Sequence, residues 1–321
     1  MSWKKAARMA LHEMGGLAVL RRRHRREFGA LMFHSFSRET ETNLDAVCSH
    51  ITRHFEPVSL SKIVEAMDGR TALPDNAITV TVDDGYSNFL HGHRIFRKHR
   101  IPATLYAVSG FAAGQLWLWP DQVEFGVRNS PRTALRVTLS SGVMDLPVDS
   151  AEAKAATLTR LLDVLKVTPN NERKAFLQSF GSVCGVEIPV SSPPGREALT
   201  GDELRALSEE GVEIGCHTAT HPILSRVEDL AELEGEIAGA KQHLEAQTRI
   251  PIRHFCYPNG RPIDYSPDVL RLVGEAGFLS AVTCTWGLNT VRAERFQIRR
   301  IPFGDALDFQ YGIELMAGLH M

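Results

Sequence analysis

Little in this chain of 321 residues points to export chemistry, a staple or a membrane span. Its five cysteines (Cys48, Cys184, Cys216, Cys256, Cys284) are odd in number, scattered, and never form a C-x-x-C pair. That spacing argues against a disulfide framework and for a reducing compartment. No apolar run reaches 18 residues, so no transmembrane helix is expected. Net charge is only −2, which leaves no global basic field for nucleic acid. Repeats and low-complexity segments are lacking too. What remains is ordinary for a globular chain, with 43% hydrophobic and 23% charged residues, and long enough to bury a large core unaided.

The first 29 residues form a basic N-terminal segment. Lys4 and Lys5 precede an apolar stretch broken by His12 and Glu13, and Arg21-Arg22-Arg23-His24-Arg25-Arg26 follows. With no small-residue cleavage site this is a poor secretory signal. The expectation is a cytoplasmic protein, with residues 1–28 in peripheral contact with an anionic inner-membrane surface. The plainer alternative is a solvated helix end.

From residue 30 the pattern alternates. Ala30 to His34, Ile78 to Val82 and Pro102 to Val108 read as strands, the second strongly β-branched. Leu44 to Phe55, Ser59 to Asp68 (with Ser59 as N-cap) and Ser87 to His99 read as helices. After residue 200 the alternation resumes. Val212 to Cys216, Ile252 to Cys256, Leu279 to Thr283 and Phe296 to Ile301 are strands, and Glu203 to Glu210, Glu228 to Gln247 and Ser266 to Ala276 are helices. Apolar strands alternating with helices predict an α/β fold with a parallel sheet, open or closed into a barrel. The alternation lapses at about 110–195. That stretch reads as an insertion, mostly helical with a β-ribbon near Leu135 to Leu146, set over one end of the sheet and shaping specificity.

Two short stretches carry the chemistry. Thr81-Val82-Asp83-Asp84-Gly85 and His217-Thr218-Ala219-Thr220-His221 each follow a strand. In parallel α/β folds such strand ends converge on one rim. His217 and His221, four apart, share one side of a helical turn at about 6 Å. One carboxylate with two imidazoles leaves open positions on zinc or a similar ion, as catalytic rather than structural sites do. A second carboxylate beside them is the part a metal-assisted hydrolysis needs as base.

These segments resemble the motifs of the NodB-like polysaccharide deacetylases (carbohydrate esterase family 4). Asp83-Asp84 is similar to their first motif and His217 to His221 to their second, H-[ST]-x-x-H. Arg253-His254-Phe255-Cys256-Tyr257-Pro258-Asn259-Gly260 is similar to their third. The resemblance runs from about Leu31 to Pro302, the insertion apart. It implies a distorted (β/α) barrel of the NodB-homology type over residues 30–321, and hydrolysis of an N-acetyl group on an amino sugar of a bacterial glycan, glycolipid or sugar carrier. Carried over, Asp84, His217 and His221 hold a divalent metal, zinc first and Co2+, Ni2+ or Fe2+ next. Asp83 is the general base on metal-bound water, Arg253 orients Asp83, the backbone N–H of Tyr257 serves the oxyanion, and Asn259 contacts substrate. The usual late histidine is missing, since only His320 follows Pro302. His34, at the end of the first strand, is the expected general acid instead, with Asp264, Asp305 or Asp308 as alternative candidates to tune it. Cys284-Thr285-Trp286-Gly287 only weakly matches the fourth motif, with Trp286 as a pocket wall; if the substrate is a sugar as the resemblance implies, Tyr86, Trp117 and Trp119 are candidates to stack on its rings, with core packing as the alternative. The motifs touch only the reacting centre. A deformylase, another amidohydrolase and a silent glycan-binding relative therefore stay open, the last disfavoured by the presence of Asp83.

Overall fold

The computed structural model describes residues 16–303 and 309–318. Residues 1–15, Asp305, Asp308 and His320 lie outside the described residues, and with them much of the N-terminal segment and three candidate groups.

Seven parallel strands close into a barrel. In chain order the strands are β1 (Gly29–Phe33), β2 (Glu56–Pro57), β3 (Ala77–Val82), β4 (Ala103–Ala107), β5 (Ala134–Leu139), β6 (Gly142–Pro147), β7 (Glu213–Cys216), β8 (His254–Cys256), β9 (Ser280–Trp286) and β10 (Ile298–Pro302). The barrel runs β1-β10-β9-β8-β7-β4-β3 and closes by pairing of β1 with β3, while β2 extends the sheet outside β3. Every residue of β1, β3 and β4 is buried, as expected of strands covered on both faces. One parity (Leu31, Val80, Val82, Leu105, Phe255) joins the surrounding helices in one large apolar cluster. The other parity (Ala30, Tyr106, Cys256, Val282, Ile298) packs inside the barrel.

The expected helices form with local signals that explain their ends. Ser59 accepts from Lys62 N and starts Leu60–Met67. Thr200 and Glu203 make a reciprocal capping box at Gly201–Glu209. One difference matters later. The single helix expected from Glu228 to Gln247 is interrupted, with a π-helical segment at Gly235–Gly239 between α-helices Leu230–Glu234 and Ala240–Thr248.

Between β4 and β7 the chain builds a second cluster. Helices Trp119–Asn129, Ala151–Val167 and Asn170–Cys184 and the antiparallel β5–β6 hairpin share an apolar centre that includes Val123, Val127, Leu135, Val137, Leu161 and Phe180. The first of these helices starts at Trp119. Pro120 occupies its first turn, where its missing N–H costs nothing.

Candidate metal centre

Asp83 and Asp84 leave the C-terminal end of β3, and Asp84 takes a left-handed backbone (φ 75°), followed by Gly85 (φ 84°). A Cβ on Gly85 would stand 3.2 Å from the Ala107 Cα, so glycine alone fits this turn without strain. The two carboxylates thereby part. Asp83 points into the barrel and is buried, whereas Asp84 faces the two histidines.

Asp84 Oδ1 lies 3.5 Å from His217 Nε2 and 3.4 Å from His221 Nε2. One donor atom from each of the three lies within 4.8 Å of the others. Ligands about 2.1 Å from a tetrahedral ion stand about 3.4 Å apart, so the spacing matches a shared ion better than direct hydrogen bonds. His217 Nδ1 lies 2.8 Å from the Cys256 carbonyl. A carbonyl only accepts, so Nδ1 carries the proton and the Nε2 lone pair faces Asp84. His221 Nδ1 is buried without a hydrogen-bond partner. Burial pushes His217 down to about 4 and holds His221 well below the ordinary imidazole value, so both rings stay neutral, the ligand form. Burial, and after it the charge of Asp83, raises Asp84 well above the carboxylate range. A half-buried carboxylate that faces two neutral imidazoles gains from a cation between them, and this donor set fits a divalent ion.

Asp83 is different. Burial raises its carboxyl, but the Arg300 guanidinium overcomes that and holds it below the usual range. Arg300 Nη1 donates to Asp83 Oδ1 at 2.6 Å and Nη2 to Oδ2 at 2.8 Å. Its Nε donates to the Thr283 carbonyl at 2.8 Å and Nη1 also to Thr81 Oγ1 at 3.2 Å. The arginine is fully buried inside the barrel.

Here the structure corrects the sequence reading. Arg253 does not orient Asp83. It precedes β8 and therefore sits at the opposite, N-terminal end of the barrel, exposed beside Glu213 and His254 in a cavity of about 250 Å³. The residue in the expected role is Arg300. The signal in the sequence was slight: Arg300 is two residues from Ile298 and so shares its strand face, which in the structure is the buried one while Arg299 is exposed. An inward arginine on a barrel strand requires a buried carboxylate.

The other candidates divide. His34 leaves the end of β1 with Nε2 3.8 Å from Asp83 Oδ2 and its side chain half exposed. Tyr257 is buried and stacks on Tyr265. Its N–H points at the Val282 carbonyl (3.4 Å), along the β8–β9 seam, and its hydroxyl donates to the Phe296 carbonyl, so neither donor is offered to an oxyanion. Asn259 spends its amide on Asp264, which also accepts from Arg261 N and Nε. That ties down the loop, and the bonds shown for Asp264 go to its own loop and not to His34. Tyr86, Trp117 and Trp119 are buried, against 56% exposure for Trp286. Tyr86 donates to Asp121 at 2.6 Å, Trp117 to the Pro189 carbonyl and Trp119 to the His221 carbonyl, both at 2.9 Å. Their polar tips found partners in the protein, and their faces are not open to a sugar. Trp286, at the end of β9, is the one aromatic of the four that solvent reaches.

The H-x-x-x-H stretch is not a helical turn. Thr218 (φ 69°) and His221 (φ 60°) are both left-handed, and the two rings meet edge to face at 4.8 Å.

The polysaccharide deacetylase family model matches residues 153–281, a stretch that contains both histidines but not Asp83 or Asp84. Among curated proteins none matches in sequence. Solved structures share the fold. A Streptococcus pyogenes deacetylase determined with acetate has 14% identity and a TM-score of 0.57, over 90% of this chain and 98% of that one. IcaB from Ammonifex degensii has 14% identity and a TM-score of 0.56, over 91% and 97%. A de-N-acetylase from Aggregatibacter actinomycetemcomitans has 14% identity and a TM-score of 0.54, over 90% and 99%. The fold is thus the NodB-type (β/α) barrel, and the chain resembles the polysaccharide deacetylases in sequence over residues 153–281 and in fold over about nine-tenths of its length.

Proposed function

We propose that this protein is a metal-dependent hydrolase that removes the N-acetyl group from an amino sugar in a glycan or a glycan precursor. The observation that carries this reading is the bidentate Arg300–Asp83 pair set beside the Asp84, His217 and His221 triad on one barrel rim. Asp84, His217 and His221 would hold the ion. Arg300 fixes the Asp83 rotamer and keeps the carboxylate ionised. A carboxylate held that acidic takes a proton only from a water whose acidity has been raised, which is the chemistry a divalent ion supplies when bound. His34, on the solvent side of Asp83, donates the proton that the departing sugar nitrogen needs. Trp286 walls the cleft.

The substrate test is proton NMR of the purified protein with N-acetylated and N-formylated sugars, free, nucleotide-linked and lipid-linked. Free acetate appearing as the N-acetyl methyl signal falls supports the proposal. Formate alone would move the activity to the deformylase alternative. His34→Ala is expected to lower kcat by about a hundredfold or more, with zinc content unchanged. A kcat within threefold of wild type would remove His34 from the acid role.

For location, we propose a cytoplasmic protein that touches anionic membrane through residues 1–28. Support comes from the five free cysteines and from the basic last turn, Arg21, Arg22 and Arg23, of the helix Gly16–His24. Deletion of residues 1–28 should abolish sedimentation with anionic vesicles, and unchanged sedimentation would sink the idea.

A further inference from the structure

The loop from His217 to His221 is held in a conformation its sequence does not favour. Thr218 and His221 are non-glycine residues with positive φ, each costing about 1–3 kcal/mol unless the surroundings dictate it. The surroundings do so bond by bond. His217 N donates to the Ala107 carbonyl at 2.9 Å, and the Thr218 and Ala219 carbonyls accept from Ser109 N and Gly110 N, both at 3.0 Å. His221 N donates to Thr218 Oγ1 at 3.0 Å, and the His221 carbonyl accepts from Trp119 Nε1 at 2.9 Å. The middle of the loop rests on one side chain. Glu236 Oε2 accepts from Ala219 N and Thr220 N, both at 2.9 Å, and Oε1 from Thr220 Oγ1 at 2.5 Å.

Glu236 is 5% exposed and lies on the π-helical segment Gly235–Gly239. Such a widened turn inside a helix is often kept at functional sites. An acid is costly on the buried face of a helix, yet Glu236 sits between Leu233 and Ile237, both buried. Arg173, equally buried, stacks on Trp119 at 4.7 Å from the insertion side. The loop is therefore gripped from two sides, by the barrel helix through Glu236 and by the insertion through Trp119.

We propose that Glu236 is a positioning residue that sets the affinity of the His217–His221 loop for its divalent ion, acting through the loop backbone without touching the ion. This rests on the metal reading above. Glutamine in its place still accepts the two N–H bonds through its oxygen, and its amide donates to the Thr220 hydroxyl, so shape is kept while charge is lost. Alanine takes away the acceptor of the Ala219 and Thr220 N–H groups and of the Thr220 hydroxyl, and with it the bonds that fix the middle of the loop.

The test is zinc affinity of the full chain, measured by competition with a fluorescent chelator, beside thermal melts of the zinc-free proteins. Glu236→Ala should bind zinc about 10- to 100-fold more weakly, Thr220→Val severalfold more weakly, and Glu236→Gln within about threefold of wild type. Thr220→Val keeps two of the three bonds and serves if Glu236→Ala does not fold. Unchanged affinity in Glu236→Ala or, failing that, in Thr220→Val would overturn the inference. So would equal losses in the alanine and glutamine variants, which would assign the effect to charge. A wild-type protein that takes up no zinc would sink the metal reading itself, whereas wild-type uptake with unchanged variants sinks only the role of Glu236.

Discussion

Asp83→Asn is expected to lower the rate of acyl release by about 10²- to 10⁴-fold while leaving bound zinc near one equivalent. The separation follows from geometry. Asp84, His217 and His221 form one donor set; Asp83 also lies within 4.8 Å of a His217 nitrogen, but both its oxygens are taken by Arg300. Asparagine keeps the shape and still offers one oxygen to Arg300, but it cannot take a proton from water. Paired measurements of kcat and of zinc by elemental analysis check this. A variant that keeps more than a tenth of wild-type kcat would remove Asp83 from the base role. Loss of zinc together with activity would instead make Asp83 part of the metal set.

Arg300→Met is the substitution with the largest expected effect on stability. Arg300 is the largest of the fully buried side chains and the only cation within bonding distance of both Asp83 oxygens among the described residues. Removing it strands a buried carboxylate, a loss of about 3–5 kcal/mol. The Asp83 carboxyl, now subject to burial without the offsetting guanidinium, should swing from below to above the ordinary carboxylate range. Chemical denaturation measures the loss. The double variant Asp83→Asn with Arg300→Met should recover part of it, because no unpaired charge remains. A single variant within about 1 kcal/mol of wild type would show that Asp83 finds another partner, and the orienting role of Arg300 would fall with it.

The strands were readable because they are buried on both faces. Ile78 to Val82 is continuous and β-branched, and β3 spans Ala77–Val82. The convergence of Asp84, His217 and His221 was readable for a topological reason: each follows a parallel strand, and parallel strands end on one rim. What failed were contacts that cross the barrel. Arg253 lies near Tyr257 in sequence, yet it precedes β8, while Arg300 arrives from β10, 217 residues away from Asp83. Only the buried parity of Arg300 within its strand announced it. Trp119 and Tyr86 failed similarly, since sequence does not say whether a ring faces solvent or a neighbour's carbonyl. The histidine loop misled by its spacing. Four residues suggest a helical turn, but the backbone reverses at Thr218 and His221 under bonds supplied by Glu236, Trp119 and the segment after β4.

The most direct test of the account is acetate release from an N-acetylated amino-sugar substrate by chelator-stripped protein, before and after one equivalent of zinc, in wild type and in His217→Ala. The account predicts negligible release when stripped, recovery on zinc addition in wild type, and little recovery in His217→Ala at the same zinc concentration. Full activity in the stripped protein, verified metal-free, would contradict it.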